Sequence, residues 1–189
     1  LVAAGFVLFA GMATLLLVPR YSRPVAVADV GTSAPDFQLN DLQGRSITLS
    51  KERGHAVVLF FAPADPIQSS TYSGRIEILA RRYASDQRVK FFAFNVPSDD
   101  QIALPAFDAQ TDATVPTLID SKGVVATRYS APPQAPLFVV IDPAGIVRYR
   151  GPFDDHIDLA FASRFYCAEA LGEVLGSPIG AFVSSKLDH

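Results

Sequence analysis

Hydrophobic and polar positions divide this chain into segments of different period. Leu1 to Val18, "LVAAGFVLFAGMATLLLV", carries no charge. As a helix rising about 1.5 Å per residue it would reach about 27 Å, close to the thickness of a hydrocarbon core. The pattern predicts a transmembrane anchor over residues 1–19, with Pro19, Arg20, Tyr21 and Arg23 at its interfacial end. A signal-peptide core is the alternative, because "AVA" at Ala26 to Ala28 has the small-x-small form of a cleavage site. Residues 20–30 then read as a Pro-containing linker, 31–176 as one folded domain, and 177–189 as a tail, apolar at first and without a clear period.

Within the domain, Phe37 and Leu39 alternate with polar neighbours, "DLQG" is a turn signal, and Ile47 and Leu49 alternate again, which predicts a hairpin. "HAVVLFFA", His55 to Ala62, is a continuous apolar run and predicts a central strand. Tyr72, Ile76, Leu79, Ala80 and Tyr83 recur at helical spacing, and "VKFFAFNV" predicts the next buried strand. Gln101 to Ala113 reads as a short helix interrupted at Pro105. "TVPTLID" reads as a short strand and "SKGVVATRYS" as a short helix. "LFVVID" and "IVRYRG", joined by Pro143, Ala144 and Gly145, predict a second hairpin. From Ile157, the apolar residues Leu159, Phe161, Phe165, Ala168, Leu171 and Leu175 predict a last helix, stopped at Gly176 and Pro178. Hairpin, alternating strands and helices, hairpin and helix together describe an α/β sandwich with a mixed central sheet.

Composition narrows the function. The 189 residues hold 16 basic and 19 acidic side chains, a formal net charge of −3, and no long basic run, so nothing here marks a nucleic-acid surface. One cysteine, Cys167, excludes an intrachain disulfide, a Cys-x-x-Cys pair and a cysteine zinc cluster. There is no P-loop, no G-x-S-x-G, no H-E-x-x-H and no G-x-G-x-x-G. No cofactor is indicated by any motif.

The stretches "VGTSAPDFQLNDLQGRSITLS", "HAVVLFFAPADP" and "QAPLFVVIDPAGIVRYRG", with the spacing between them, resemble the thioredoxin-like fold. The branch they are most similar to is the redoxin family, which includes alkyl hydroperoxide reductase/TSA-type and membrane-tethered thiol-disulfide proteins. The resemblance covers roughly Gly31 to Leu175. It implies an active-site face built from the loop after the first central strand and from the segment at Ala135 and Pro136, with Pro136 in the cis form. It also implies a cysteine before a proline at the start of the first long helix. Here Asp65 stands at that place, before Pro66; Gln68 and Ser69 stand at the resolving positions, and Ala62 where a peroxidatic site carries threonine.

Asp65 has two readings. As an N-cap followed by proline at the first helical position, it is a favoured helix start. As a carboxylate in hydrolysis it would need a partner base, and none is evident in the sequence. In neither case can it attack a disulfide or a peroxide, which requires a sulfur nucleophile. Cys167 reads as a small buried hydrophobe on the last helix, or as a lone redox thiol. Asp154, Asp155, His156 and Asp158 have the donor types of a metal site, or of an acidic run that caps and solvates a following helix. His55 and His189 have no ligand partners at a useful spacing.

The expectation is a redox-inactive, membrane-anchored accessory or scaffolding subunit, with lipid and integral-membrane partners along residues 1–19 and protein partners for the domain. A respiratory or photosynthetic electron-transfer complex is a candidate host. A thiol protein using Cys167 and a metal-binding module are the alternatives. The resemblance implies a bacterial inner membrane with the domain in the periplasm; Arg20 and Arg23 after the anchor would favour the opposite orientation.

Overall fold

A computed structural model describes residues 28–95 and 114–177. The expected anchor, all but the last residues of the linker, the expected helix at 101–113 and the tail from 178 onward lie outside the described residues. Among the described residues no helix is long and apolar enough to cross a membrane.

Strands β1 (Gln38–Asn40) and β2 (Ser46–Thr48) form the first hairpin, followed by a 3-10 turn at Leu49–Glu52. Strand β3 (Ala56–Ala62) leads into helix α1 (Pro66–Arg82), then β4 (Val89–Asn95) and β5 (Thr117–Leu118). Helix α2 (Val124–Arg128), strands β6 (Leu137–Ile141) and β7 (Val147–Gly151), and helix α3 (Tyr166–Leu175) complete the order. The main sheet runs β5-β4-β3-β6-β7, parallel across β5, β4 and β3 and antiparallel across β3, β6 and β7. This is the mixed-sheet sandwich that the apolar pattern predicts. The turn between β6 and β7 is where "PAG" places it. Gly145 has φ +79° there, a conformation that a side chain disfavours.

β3 lies at the middle of the sheet because all seven of its residues are apolar and every one is buried. Its side chains alternate between two cores. Ala56, Val58, Phe60 and Ala62 pack with Tyr72, Ile76, Leu79 and Ala80 of α1 and with Cys167, Ala168 and Leu171 of α3. Val57, Leu59 and Phe61 pack with Phe37 and Leu49 of the hairpin region and with Val125, Ala126 and Tyr129 from α2. Rings cross-link neighbouring strands on both faces: Phe60 stacks on Phe138 at 4.7 Å, and Phe61 on Phe94 at 4.6 Å.

Two expectations are corrected. The last helix begins at Tyr166, not near Ile157, and residues 152–165 form an irregular loop. Asp154, buried, pairs with the buried Arg75 of α1, and the same guanidinium donates to the carbonyls of His156, at 3.0 Å, and Ile157. Asp155 accepts from the N–H groups of Ser163, at 2.8 Å, and Arg164, at 3.2 Å, which closes the loop on itself. Carbonyls drawn onto a guanidinium cannot serve a helical ladder, so the periodic apolar residues Ile157, Leu159 and Phe161 stand in solvent instead. The second correction concerns Pro136. No cis peptide occurs among the described residues, so the Ala135–Pro136 bond is trans, the isomer an X-Pro bond prefers unless packing selects the other.

The Arg75–Asp154 pair is an instrument of conformation more than of stability. Burial holds the Asp154 carboxyl above its ordinary range even with Arg75 beside it, and Asp154 Oδ1 has no hydrogen-bond partner. Desolvation therefore exceeds the charge attraction there. Replacing Arg75 alone by Met strands a buried carboxylate, and urea denaturation should show a loss of about 3 kcal/mol. Arg75→Met combined with Asp154→Leu should recover most of that loss. A double variant as unstable as the sum of the two single variants would contradict this assignment.

Candidate functional site

The β3–β6 register places Phe61 opposite Leu137, so the end of β3 and the start of β6 share one edge of the sheet. Two loops meet there. The N–H of Ala64, from the loop entering α1, donates to the carbonyl of Pro133 at 2.8 Å. Asp65 and Pro66 from one loop, and Ala135 and Pro136 from the other, are thus brought to one end of the domain.

Asp65 is the N-cap of α1. Its backbone is extended, at φ −67° and ψ 119°, Pro66 occupies the first turn, and the N–H of Gln68 donates to Asp65 Oδ1 at 2.7 Å. The Ser69 N–H reaches the Asp65 carbonyl at 2.9 Å as the first helical bond. The local chemistry is therefore that of a capped helix start: one orphan amide is satisfied, and a negative charge stands at the positive end of the dipole. Asp65, Pro66, Ile67 and Ala135 are exposed, and Pro136 is half-buried. Hydrogen bonds from neighbouring elements brace the entry to the loop at 130–136. Ser130 takes φ +46°, and Arg150 donates to the Tyr129 carbonyl at 3.0 Å and to the Ser130 carbonyl at 2.8 Å. The Tyr129 hydroxyl, buried, donates to the Pro35 carbonyl at 2.8 Å, which ties the loop to the segment before β1. Arg150 and Tyr129 are positioning residues that periodicity did not single out; only their placement beside the loop gives them that role.

Cys167 is not part of this face. It is fully buried near the start of α3, its N–H donating to the Phe153 carbonyl at 3.2 Å. Burial among apolar side chains pushes its thiol far above the ordinary range. It neighbours Tyr83, the C-cap of α1, and so lies toward the opposite end of that helix from Asp65. Seventeen helical residues separate the two ends, which is about 25 Å.

The acidic run does not converge either. Asp154 serves Arg75, Asp155 serves Ser163 and Arg164, and Asp158 Oδ1 accepts from the Ala160 N–H at 2.9 Å. Among the described residues no three His, Cys, Asp or Glu side chains are grouped to hold a metal ion. The run closes a loop and does not cap a helix, which corrects the reading of it as a helix-capping segment. A groove of about 400 Å³ between the β6–β7 turn and α3 is lined by Asp142, Arg148 and Glu173 among others, with Arg148 and Asp142 paired at 2.7 Å.

The AhpC/TSA family profile matches residues 30–150, and the chain belongs to that family. Among curated proteins it is 29% identical over 147 residues to the thiol-disulfide oxidoreductase ResA of Geobacillus kaustophilus (strain HTA426), covering 75% of this chain and 79% of that protein. It is 28% identical over 127 residues to the chloroplastic peroxiredoxin Q of Oryza sativa subsp. japonica, and this match spans only 57% of that protein's length and 63% of this chain. Among solved structures, a thiol-disulfide oxidoreductase from Bacteroides fragilis NCTC 9343 superposes with a TM-score of 0.55 at 20% identity, over 77% of this chain and 98% of the other. An uncharacterized conserved protein from Geobacillus kaustophilus gives 0.62 at 21% identity, over 81% and 86%. The structural likeness establishes a thioredoxin-like fold.

The cap geometry makes two measurable predictions. Asp65→Ala should cost about 1 kcal/mol of stability by chemical denaturation, the loss of one N-cap. A thiol placed there by Asp65→Cys should titrate below the ordinary value of about 8.5, because helix amino ends favour the thiolate. Thiolate absorbance followed against pH measures it; a midpoint at or above the ordinary value would mean that this helix start offers no anion stabilisation.

Proposed function

We propose that this chain is a membrane-tethered redoxin that has given up thiol chemistry and acts as an accessory or scaffolding subunit of a membrane protein assembly. The observation that carries the reading is the helix start after the first central strand. Asp65 occupies it as a structural cap, and the chain's single thiol is enclosed in the core. A carboxylate preserves the charge, the cap and the helix geometry of such a site while lacking a sulfur that can be oxidised or form a mixed disulfide. What the face offers instead is shape: an exposed Pro132, Pro133, Gln134 and Ala135 beside Pro66 and Ile67, braced by Arg150. The tether rests on the uncharged segment at residues 1–19 and the periplasmic face of a bacterial inner membrane on the family resemblance. A respiratory or photosynthetic complex is a candidate host.

The full chain, purified in mild detergent, should reduce neither a model disulfide nor a hydroperoxide faster than a boiled control. Turnover that disappears in Cys167→Ser would overturn the reading. The relatives described as thiol-disulfide oxidoreductases favour a second reading, in which Cys167 itself does redox work. That reading needs a reachable thiol. Maleimide labelling of the native chain separates the two: labelling only after denaturation supports the first, and rapid labelling of the folded protein supports the second.

A further inference from the structure

Helix α3 closes one core with Cys167, Ala168 and Leu171, but leaves Ala170, Val174 and Leu175 only half-buried beside that cluster. Ala170, Glu173 and Val174, three and four positions apart, share one stripe of the helix. Asp142, Pro143 and Arg148 of the β6–β7 turn stand across from them, and the groove of about 400 Å³ lies between. Its charges are largely satisfied from within. Asp142 Oδ2 holds Arg148 at 2.7 Å, and Asp142 Oδ1 accepts from the Ile146 N–H at 2.8 Å. Glu173 is exposed at the rim. What the described residues leave uncovered is the apolar wall of Pro143, Ala170 and Val174.

The chain leaves the domain at this wall. Gly176 ends α3 in the left-handed conformation, at φ +67°, and the Ser177 N–H returns to the Gly172 carbonyl at 2.9 Å. That bond holds Ser177 against the last turn of α3, beside Glu173 and Val174, and Pro178 cannot continue the helix. The next eight residues, "PIGAFVSS", carry no charge and include Ile179, Phe182 and Val183. From Pro178 to Phe182 the backbone can reach at most about 17 Å, about three times the rise of the helical turn that separates Ala170 from Val174.

We propose that this groove is the docking site of the chain's own segment 178–183, with Ile179 and Phe182 set against Pro143, Ala170 and Val174. An uncharged, apolar segment matches a groove whose ion pair is closed on itself and whose open wall continues the core. The segment is tethered at the rim, so it competes with any free ligand at high effective concentration, and only a few residues are ordered when it docks. Docked, it covers the side of the core that α3 leaves open and ties α3 to the β6–β7 turn. β6 runs from the Asp65 edge at Leu137 to Ile141, and the groove lies past its far end. The inference is therefore independent of what chemistry Asp65 supports.

A cross-link in the full chain, in mild detergent, tests it. Ala170→Cys and Ala181→Cys, in a Cys167→Ala background, place one thiol on the groove wall and one on the segment. A mild oxidant should join them within a single chain. The rate should be at least tenfold faster than in the same pair carrying Ile179→Asp and Phe182→Asp, whose tail is equally long. These two changes lie outside the folded domain, so they test docking without removing a core side chain. Tryptic cleavage after Lys186, read by mass as loss of the last three residues, should be at least tenfold slower in the unaltered chain than in Ile179→Asp with Phe182→Asp. Equal cross-linking rates in the two tails would overturn the proposal. So would a disulfide that joins two chains instead of one, which would give the groove to a second copy, and so would cleavage at Lys186 that is indifferent to Ile179 and Phe182.

Discussion

Every element of this domain answers one constraint: β3 is apolar at all seven positions and must be covered on both faces. A strand with a polar side can lie at the surface of a sandwich, but this one cannot. Its even-numbered residues require α1 and α3, and its odd-numbered residues require the β1–β2 hairpin region and α2. Parallel pairing to β4 and antiparallel pairing to β6 leave it no free edge. The candidate face follows from the same constraint. The strand ends at Ala62, α1 must turn back to cover Phe60 and Val58, and the turn that begins α1 lies beside the start of β6 because β6 is the strand's neighbour. The loops that carry Asp65 and Pro136 lie at one sheet edge for reasons of coverage before any reason of chemistry.

The loop at 152–165 shows a different economy. A buried guanidinium and a buried carboxylate, one of its oxygens unpartnered, are poor ways to gain stability. They are effective at fixing a backbone, because a guanidinium that must satisfy its donors selects the one loop path that brings carbonyls to it. The loop consequently ignores its own helical periodicity. It also lies against α1 through Arg75.

The thiol and the start of α1 lie far apart in this chain. The single cysteine of the sequence, Cys167, lies in the apolar core, toward the other end of α1 from Asp65, where burial disfavours the thiolate. The helix start carries a carboxylate, a proline and a braced neighbouring loop.

Much of this was legible in the residues themselves. The unbroken run Ala56 to Ala62 can only be a buried strand, "DPIQSS" carries its own cap and first turn, and "DPAG" carries its own hairpin turn; each is decided by neighbours within a few positions. The sequence also determined that no pair of cysteines exists to do redox chemistry. What it did not determine were the outcomes that depend on distant partners. The apolar spacing from Ile157 reads as helix, and only the approach of Arg75, some eighty positions earlier in the chain, makes it a loop. The isomer of the bond at Pro136 and the burial of Cys167 depend on packing around them. Local propensity sees a few residues at a time, whereas charge pairing in a closed interior is settled by whatever the fold brings to the same place.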